Sequence, residues 1–123
     1  FDANDQAVGS MLAAAHHRLG ARILDDAEDP DAPQPDVASL RAALVQHERA
    51  RVLCASDEDA GENLAGYWDS RLRILQRLAQ SGADDAALWQ ARLSRELDRV
   101  RGLDGQGDWY WSEEGEALLN DPA

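Results

Sequence analysis

Apolar residues in this chain recur at intervals of three and four, and this spacing constrains the fold more than any other feature of the sequence. In the first thirty residues they follow the spacing of one helical face: Leu12, His16, Leu19 and Ile23, extended by Val8 and Ala15. No segment shows the two-residue alternation that is typical of a β-strand. The pattern therefore predicts an all-α protein.

Capping residues, glycines and prolines divide this pattern into separate helices. We expect four long helices and a short fifth one, over about 5–24, 36–55, 56–80, 84–101 and from Ser112 onward. Asp36 and Ser56 stand where a side-chain oxygen would accept a hydrogen bond from the first turn of a helix. A chain of 123 residues is long enough for one modest core. The sequence thus predicts one domain, 1–123, folded as an antiparallel four-helix bundle with a short C-terminal helix packed across it.

Each predicted helix carries an apolar stripe that we expect to face the core. The second helix is apolar over a wide arc that includes Val45, Val52 and Leu53, so we expect it to be covered on two sides. The stripe of the third helix consists of Leu64, Trp68, Leu72, Leu75 and Leu78. Gly20 would let another helix approach the first one closely. We expect no acidic residue on these stripes.

The net charge of −12 comes entirely from the two ends of the chain. Residues 1–36 contain eight acids and two arginines, and residues 104–123 contain six acids and no base. Within these ends, 25–36 is an acidic, proline-rich loop and 104–123 is an acidic, aromatic segment. The arginines of the middle are expected to form ion pairs along their helices, as at the i, i+4 spacing of Asp69 and Arg73, and to receive the acidic ends.

This acidity excludes some partners and permits others. Nucleic acids and anionic membranes attract clustered basic residues, so neither is expected as a partner, whereas a basic protein is. No apolar run is long enough to span a membrane, which predicts a soluble protein of the cytoplasm or the periplasm. The chain begins at Phe1 rather than Met, so the sequence leaves open whether a leader has been removed. It also leaves the oligomeric state open.

The residues that could bind metal or act as nucleophiles show no arrangement suited to either role. His16, His17, His47 and Cys54 lack the paired spacing of zinc ligands, and the acids of 25–31 lack the spacing of a calcium-binding loop. Cys54 lies near the end of a predicted helix and is expected to be a small buried apolar residue. We therefore expect no catalytic residues, no metal and no cofactor.

Three consecutive aromatic residues, Trp109, Tyr110 and Trp111, stand in the acidic C-terminal segment. They cannot all face one core from a helix or a strand. Trp109 and Trp111 could close the end of the bundle with Tyr110 outward. Alternatively, the three could form a protein interface, because Trp and Tyr are frequent at the centre of interfaces, or they could stack on a sugar.

These features together favour a non-catalytic protein-binding domain, such as an acidic inhibitor or immunity-type protein that masks a basic site. Its predicted binding residues are the aromatic and acidic side chains Trp109, Tyr110, Trp111, Asp108, Glu113, Glu114, Glu116, Glu28, Asp29 and Asp31. Two alternatives remain. One is a structural or adaptor subunit that self-assembles through apolar helix faces, and the other is an enzyme or small-ligand binder with its site inside the bundle.

Overall fold

The structure is a computed structural model that describes residues 3–31, 36–82, 84–103 and 111–120, with side chains from Val8 onward. It contains six helices: α1 (Ala3–Glu28), α2 (Val37–Val52), α3 (Asp57–Asn63), α4 (Tyr67–Ala79), α5 (Ala86–Arg101) and α6 (Glu113–Asn120). No strand occurs in these four ranges. Helices α1, α2, α4 and α5 form a bundle in which α1 packs on α2, α4 on both, and α5 and α6 on α4. The all-α, bundle-like prediction is confirmed.

The predicted helix starts are confirmed where a local side chain caps the first turn. The Asp36 carboxylate accepts a hydrogen bond from the Ser39 amide at 2.8 Å, and the Ser56 hydroxyl accepts one from the Asp59 amide at 3.1 Å. Asp85 stands at the start of α5 but makes no such cap, because its backbone (φ −96°, ψ 12°) is not in the extended conformation that Asp36 and Ser56 adopt. Its carboxylate forms an ion pair with Arg41 instead.

The prediction of one helix over 56–80 is wrong, because two helices occupy this range. Helix α3 ends at Asn63, and α4 begins at Tyr67 after Gly66, whose φ of 76° lies in the left-handed region that favours glycine. The apolar stripe continues across the break, since Leu64 and Trp68 are both buried. The spacing alone therefore did not reveal the break. Helix α2 likewise ends at Val52, before the predicted end near residue 55.

Helix α1 buries a different face from the one predicted. Leu12 and Leu19 are 47% and 51% exposed. The face against the core instead carries smaller residues, namely Ala13, His17, Gly20, Leu24 and Ala27. A Cβ atom at Gly20 would overlap the His47 ring and lie 2.8 Å from the carbonyl oxygen of Ala43. The close approach predicted for Gly20 is thus confirmed, and this approach requires that the small residues of α1 face α2.

Helix α4 is the centre of the fold because it contacts the five other helices. Its predicted stripe is confirmed, and Ile74 is buried as well. The second helix, by contrast, is not covered on two sides, since Val52 is 79% exposed and Val45 and Leu53 are also exposed. The wide apolar arc of α2 therefore lies partly at the surface.

Candidate functional site

Two acidic residues are buried, which corrects the prediction that no acid lies on an apolar stripe. Asp69 on α4 is 3% exposed and Glu96 on α5 is 5% exposed. Asp69 is followed by Ser70 and Arg71, which are also buried. Since other helices cover most of the first turns of α4, polar residues there are buried together with apolar ones. Buried polar groups require partners, so each of these residues defines a contact to a neighbouring helix.

Ser70 joins two histidines in the interior. Nδ1 of His47 donates to the carbonyl oxygen of Ala43 at 3.1 Å, so Nε2 is the acceptor and lies 2.7 Å from the Ser70 hydroxyl. Nε2 of His17 lies 3.3 Å from the same hydroxyl. Tyr67 donates its phenol O–H to the carbonyl oxygen of His47 at 3.2 Å. This cluster links α1, α2 and α4.

The Ser70–His47 contact has the geometry of a nucleophile beside its base, but its surroundings differ from those of an active site. His47 is fully buried and Ser70 is 6% exposed. Burial lowers the pKa of His47 to about 3, and burial also lowers the pKa of His17. The two histidines are therefore neutral at pH 7, and a substrate would have to separate the helices to reach Ser70.

Two open surface cavities lie away from this cluster. One, of about 350 Å³, lies between α4, α5 and α6 and is lined by residues that include Gln76, Leu97 and Leu118. The other, of about 380 Å³, lies along α5 beside Trp89. His17, His47 and Ser70 line neither of them. The buried cluster therefore satisfies polar groups within the fold and does not open into these cavities.

A second polar network joins α2, α4 and α5. Glu96 accepts from Nε of Arg71 at 2.6 Å and from Nε of Arg92 at 2.9 Å. Arg92 also forms an ion pair with Glu48 on α2, and Arg71 lies over the Trp68 ring, 5.9 Å from its centroid. The ion pairs that were expected along the helices of the middle are confirmed on α5 between Arg92 and Glu96, which are four residues apart. The charges of this network pair across α2, α4 and α5 and hold these three helices together.

The two acidic ends of the chain meet at Arg73. This guanidinium forms an ion pair with Glu28 at the end of α1 and lies 2.8 Å from the Asp69 carboxylate. Asp69 in turn accepts hydrogen bonds from the Ser112 amide at 2.9 Å and from the Ser112 hydroxyl at 2.8 Å, immediately before α6. The prediction that arginines of the middle receive the acidic ends is thus confirmed for Glu28 at Arg73, whereas the C-terminal segment is attached through Ser112 and Asp69.

Helix α6 fits against this position because Gly115 has no side chain. A Cβ atom at Gly115 would overlap the Asp69 carboxylate. The Ser112 hydroxyl caps α6 by accepting from the Gly115 amide at 3.0 Å. Burial raises the pKa of Asp69, and the nearby negative charge of Glu114 adds to this rise. The pKa of Glu114 is lowered by its own backbone amide and by the charge of Arg73.

The predicted binding residues fall into four groups. Five carboxylates are exposed: Asp29, Asp31, Glu113, Glu114 and Glu116. Glu28 is half-buried and paired with Arg73, so its charge is engaged within the fold. Trp111 is half-buried and packs against the core. Asp108, Trp109 and Tyr110 lie outside the described residues. We call the five exposed carboxylates, together with the nearby Asp25 and Asp26 of α1, the acidic end.

Sequence reasoning recognised the acids and Arg73, but it missed Ser112 and Gly115 as the residues that fix α6 beside them. A serine followed by acidic residues indicated only a helix cap. The function of Gly115 depends on its contact with Asp69, a residue of another helix, and nothing in the spacing indicates it.

The described residues were not found to combine into a metal site or a membrane-spanning helix. Across the four described ranges, no group of three or more His, Cys, Asp or Glu side chains is placed to bind a metal ion. None of the helices in that part of the chain combines the length and apolarity needed to cross a membrane. Burial raises the pKa of the Cys54 thiol, which disfavours the reactive thiolate.

Comparison with known proteins gives no match: no family model, no curated protein and no solved structure is significantly similar to this chain.

Proposed function

We propose that this chain is a non-catalytic protein-binding domain that binds a basic protein surface at its acidic end. The convergence of two acidic segments, distant in sequence, around Arg73 is the observation that carries this proposal. Exposed carboxylates also lie next to Glu28 in the sequence and in the first turn of α6, so both segments held by Asp69 and Arg73 carry negative charge. Such a surface attracts a cationic partner and speeds its association.

The attachment of α6 supports the same proposal. Asp69, Ser112 and Gly115 hold the first turn of α6 in one position relative to α4. Carboxylates on a fixed helix lose less conformational entropy on binding than carboxylates on a free chain end. Trp111 lies half-buried beside them and supplies the kind of aromatic surface that is common at interface centres. In its concrete form, the proposal is an inhibitor or immunity-type protein that masks a basic site.

The experiment is a titration with a defined cationic probe, a fluorescently labelled peptide of arginines and glycines, followed by anisotropy. The variant Asp31→Asn/Glu113→Gln/Glu116→Gln removes three charges from the acidic end. The control Glu58→Gln/Glu62→Gln/Asp84→Asn removes three exposed charges elsewhere, so both proteins have the same net charge. We expect the first variant to weaken binding about tenfold at about 50 mM salt and the control to change it less than about twofold.

Equal weakening by both variants would mean that the probe responds to net charge alone, and the proposed site would be rejected. Binding that is unchanged between about 50 and about 500 mM NaCl would reject the electrostatic mechanism, because exposed charges are screened over this range. A pull-down from lysate of the source organism, with the same variants, then tests for one basic protein that wild type retains and the first variant loses.

A structural subunit that self-assembles is the second candidate. One specific observation favours it, namely the exposed leucines of α1, which the sequence pattern had assigned to the core.

A further inference from the structure

None of the described residues that line the open cavity between α4, α5 and α6 belongs to the acidic end or to the buried histidine cluster. The volume of this cavity, about 350 Å³, falls within the range of small-ligand sites. Leu118 is the residue of α6 that lines it, whereas the carboxylates of α6 stand at Glu113, Glu114 and Glu116. A ligand in this cavity therefore uses none of the residues assigned to the binding of a basic protein, and the two sites can be tested separately.

The floor of this cavity is apolar. Leu93 and Leu97 of α5 are half-buried, and Ala79 of α4 and Leu118 of α6 are buried. All three helices therefore contribute apolar side chains to it. Covering such a surface contributes about 25 cal/mol for each Å² of apolar area removed from water. A ligand that fits this cavity therefore has an apolar face.

Most of the rim of the cavity is polar but uncharged. Gln76 and Gln80 lie one turn apart on α4, and Gln90 and Ser94 lie one turn apart on α5. Gln80, Gln90 and Ser94 are exposed, and Gln76 is half-buried. Within the described part of the chain, these four side chains have no hydrogen-bond partner. A carboxamide and a hydroxyl each both donate and accept, so a matching ligand offers donors and acceptors together.

The two charged residues among the described lining residues stand at one end of the cavity and pair with each other. Nη1 of Arg101 lies 3.5 Å from Oδ1 of Asp98. Arg101 also donates to the carbonyl oxygens of Leu118 and Leu119, at 3.1 and 2.9 Å, so it holds α6 in place. The Asp98 side chain is 77% exposed, so its carboxylate is available to accept hydrogen bonds at the mouth of the cavity. Among the described lining residues an anion finds no unpaired cation, so the cavity suits a neutral ligand.

We propose that this cavity binds a neutral monosaccharide. A sugar ring has C–H groups on its faces, which pack on Leu93 and Leu97, and hydroxyl groups around its edge, which donate and accept as the rim requires. Neighbouring hydroxyls can both donate to one carboxylate, and this is the role of Asp98. Arg101 and α6 close one end of the cavity, so a ring fits it better than an extended peptide. Because the floor holds leucines rather than aromatic rings, we expect weak binding, with a Kd of about 0.1–10 mM.

The first test is a titration of the isotope-labelled protein with D-glucose, D-galactose, D-mannose and N-acetyl-D-glucosamine, each to about 50 mM, followed by NMR. We expect at least one of these sugars to shift the side-chain amide signals of Gln76 and Gln90 with saturation. The control is Gln46, whose amide oxygen bonds to His16 outside the cavity and whose signals should not shift. Shifts that grow linearly with every sugar, or no shifts at all, would overturn the proposal.

Three further probes test the class of ligand. Inorganic phosphate is anionic, glycerol has hydroxyls but no ring, and N-acetylglycinamide has the donors and acceptors of a peptide. We expect none of the three to give saturable shifts of Gln76 or Gln90 up to about 50 mM. Saturation with N-acetylglycinamide in place of the sugars would mean a peptide site, and saturation with phosphate would mean a cationic one. Either result would overturn the assignment to a neutral sugar.

Two variants of α5 locate the site. Ser94→Phe places a ring in the cavity and is expected to weaken binding of the sugar at least about tenfold. The matched control Ala91→Phe places the same ring three residues earlier on α5, in the other surface cavity, and is expected to bind like wild type. Both positions are exposed, so both variants should keep the wild-type circular dichroism spectrum. Unchanged binding by Ser94→Phe, or loss in the control alone, would place the sugar elsewhere and refute the proposal.

A second pair of variants tests the carboxylate at the mouth of the cavity. Asp98→Asn removes the charged acceptor and is expected to weaken sugar binding about threefold to tenfold. The matched control Asp84→Asn removes an exposed charge that does not line the cavity and is expected to leave the affinity unchanged. Equal affinity of the two variants for the sugar would show that Asp98 does not contact it and would overturn the proposed arrangement.

Discussion

Lowering the pH from 7 to 5 should destabilise this fold, chiefly through His47. Its ring is fully buried, donates to the Ala43 carbonyl and accepts from Ser70, and burial lowers its pKa to about 3 from the 6.5 of an exposed histidine. Below about pH 6.5 the unfolded chain therefore binds a proton that the folded chain does not. The stabilisation is complete above pH 6.5 and is lost as the pH falls toward 3.

The size of the effect follows from the width of this window. One pKa unit corresponds to about 1.4 kcal/mol, so His47 alone should lower the free energy of unfolding by about 2 kcal/mol between pH 7 and pH 5. His17, whose pKa is lowered by burial, acts in the same direction. Asp69 acts in the opposite direction, because burial raises its pKa and the folded state takes up its proton first as the pH falls. A total stability of about 5–15 kcal/mol makes the loss easy to measure.

The assay is urea unfolding at pH 7, 6 and 5, followed by circular dichroism. His47→Gln keeps a donor and an acceptor at this position and removes the group that binds the proton. Between pH 7 and pH 5, the free energy of unfolding of this variant should therefore fall by about 2 kcal/mol less than that of wild type. The control is His16→Gln, since His16 lies at the half-buried edge of α1 with a hydrogen bond to Gln46. The same pH dependence in wild type and His47→Gln would refute the reasoning, whatever their absolute stabilities.

The remaining predictions concern three other positions. Gly115→Ala should displace α6 from α4, because the new methyl group overlaps the Asp69 carboxylate, and faster hydrogen exchange confined to α6 would verify this. Gly66→Ala should cost about 1–2 kcal/mol in urea unfolding because of the positive φ. Glu96→Gln leaves Arg71 without its buried anionic partner and should cost about 3 kcal/mol, whereas the exposed control Asp98→Asn should cost less than about 0.5 kcal/mol.

Local signals in the sequence predicted local features of the fold. Asp36 and Ser56 cap their helices through hydrogen bonds that span three residues, so the sequence near each cap contains all the information that is needed. The interruption after α3 was missed because Leu64 and Trp68 keep the helical spacing on both sides of Gly66. Periodicity records which residues face the core, and a chain can keep that pattern through a turn.

The buried face of α1 could not be predicted for a different reason. The helix has two faces that a core could accept, and the one with the larger residues, including Leu12 and Leu19, was the natural choice. The close contact of Gly20 with His47 and Ala43 fixes the other face against the core, and these two residues lie more than twenty positions further along the chain. The acidic end is a similar case. Composition revealed its acids, but their convergence on Arg73 depends on contacts among α1, α4 and α6.

Three consecutive residues of α4 each belong to a different interface. Asp69 holds α6, Ser70 joins the histidines of α1 and α2, and Arg71 reaches Glu96 on α5. Inserting one residue just before Asp69 would rotate this turn by about 100° and give every neighbouring helix the wrong partner at once. Residues 69–71 should therefore tolerate neither an insertion nor a deletion. The helices that these residues connect should fold and unfold together.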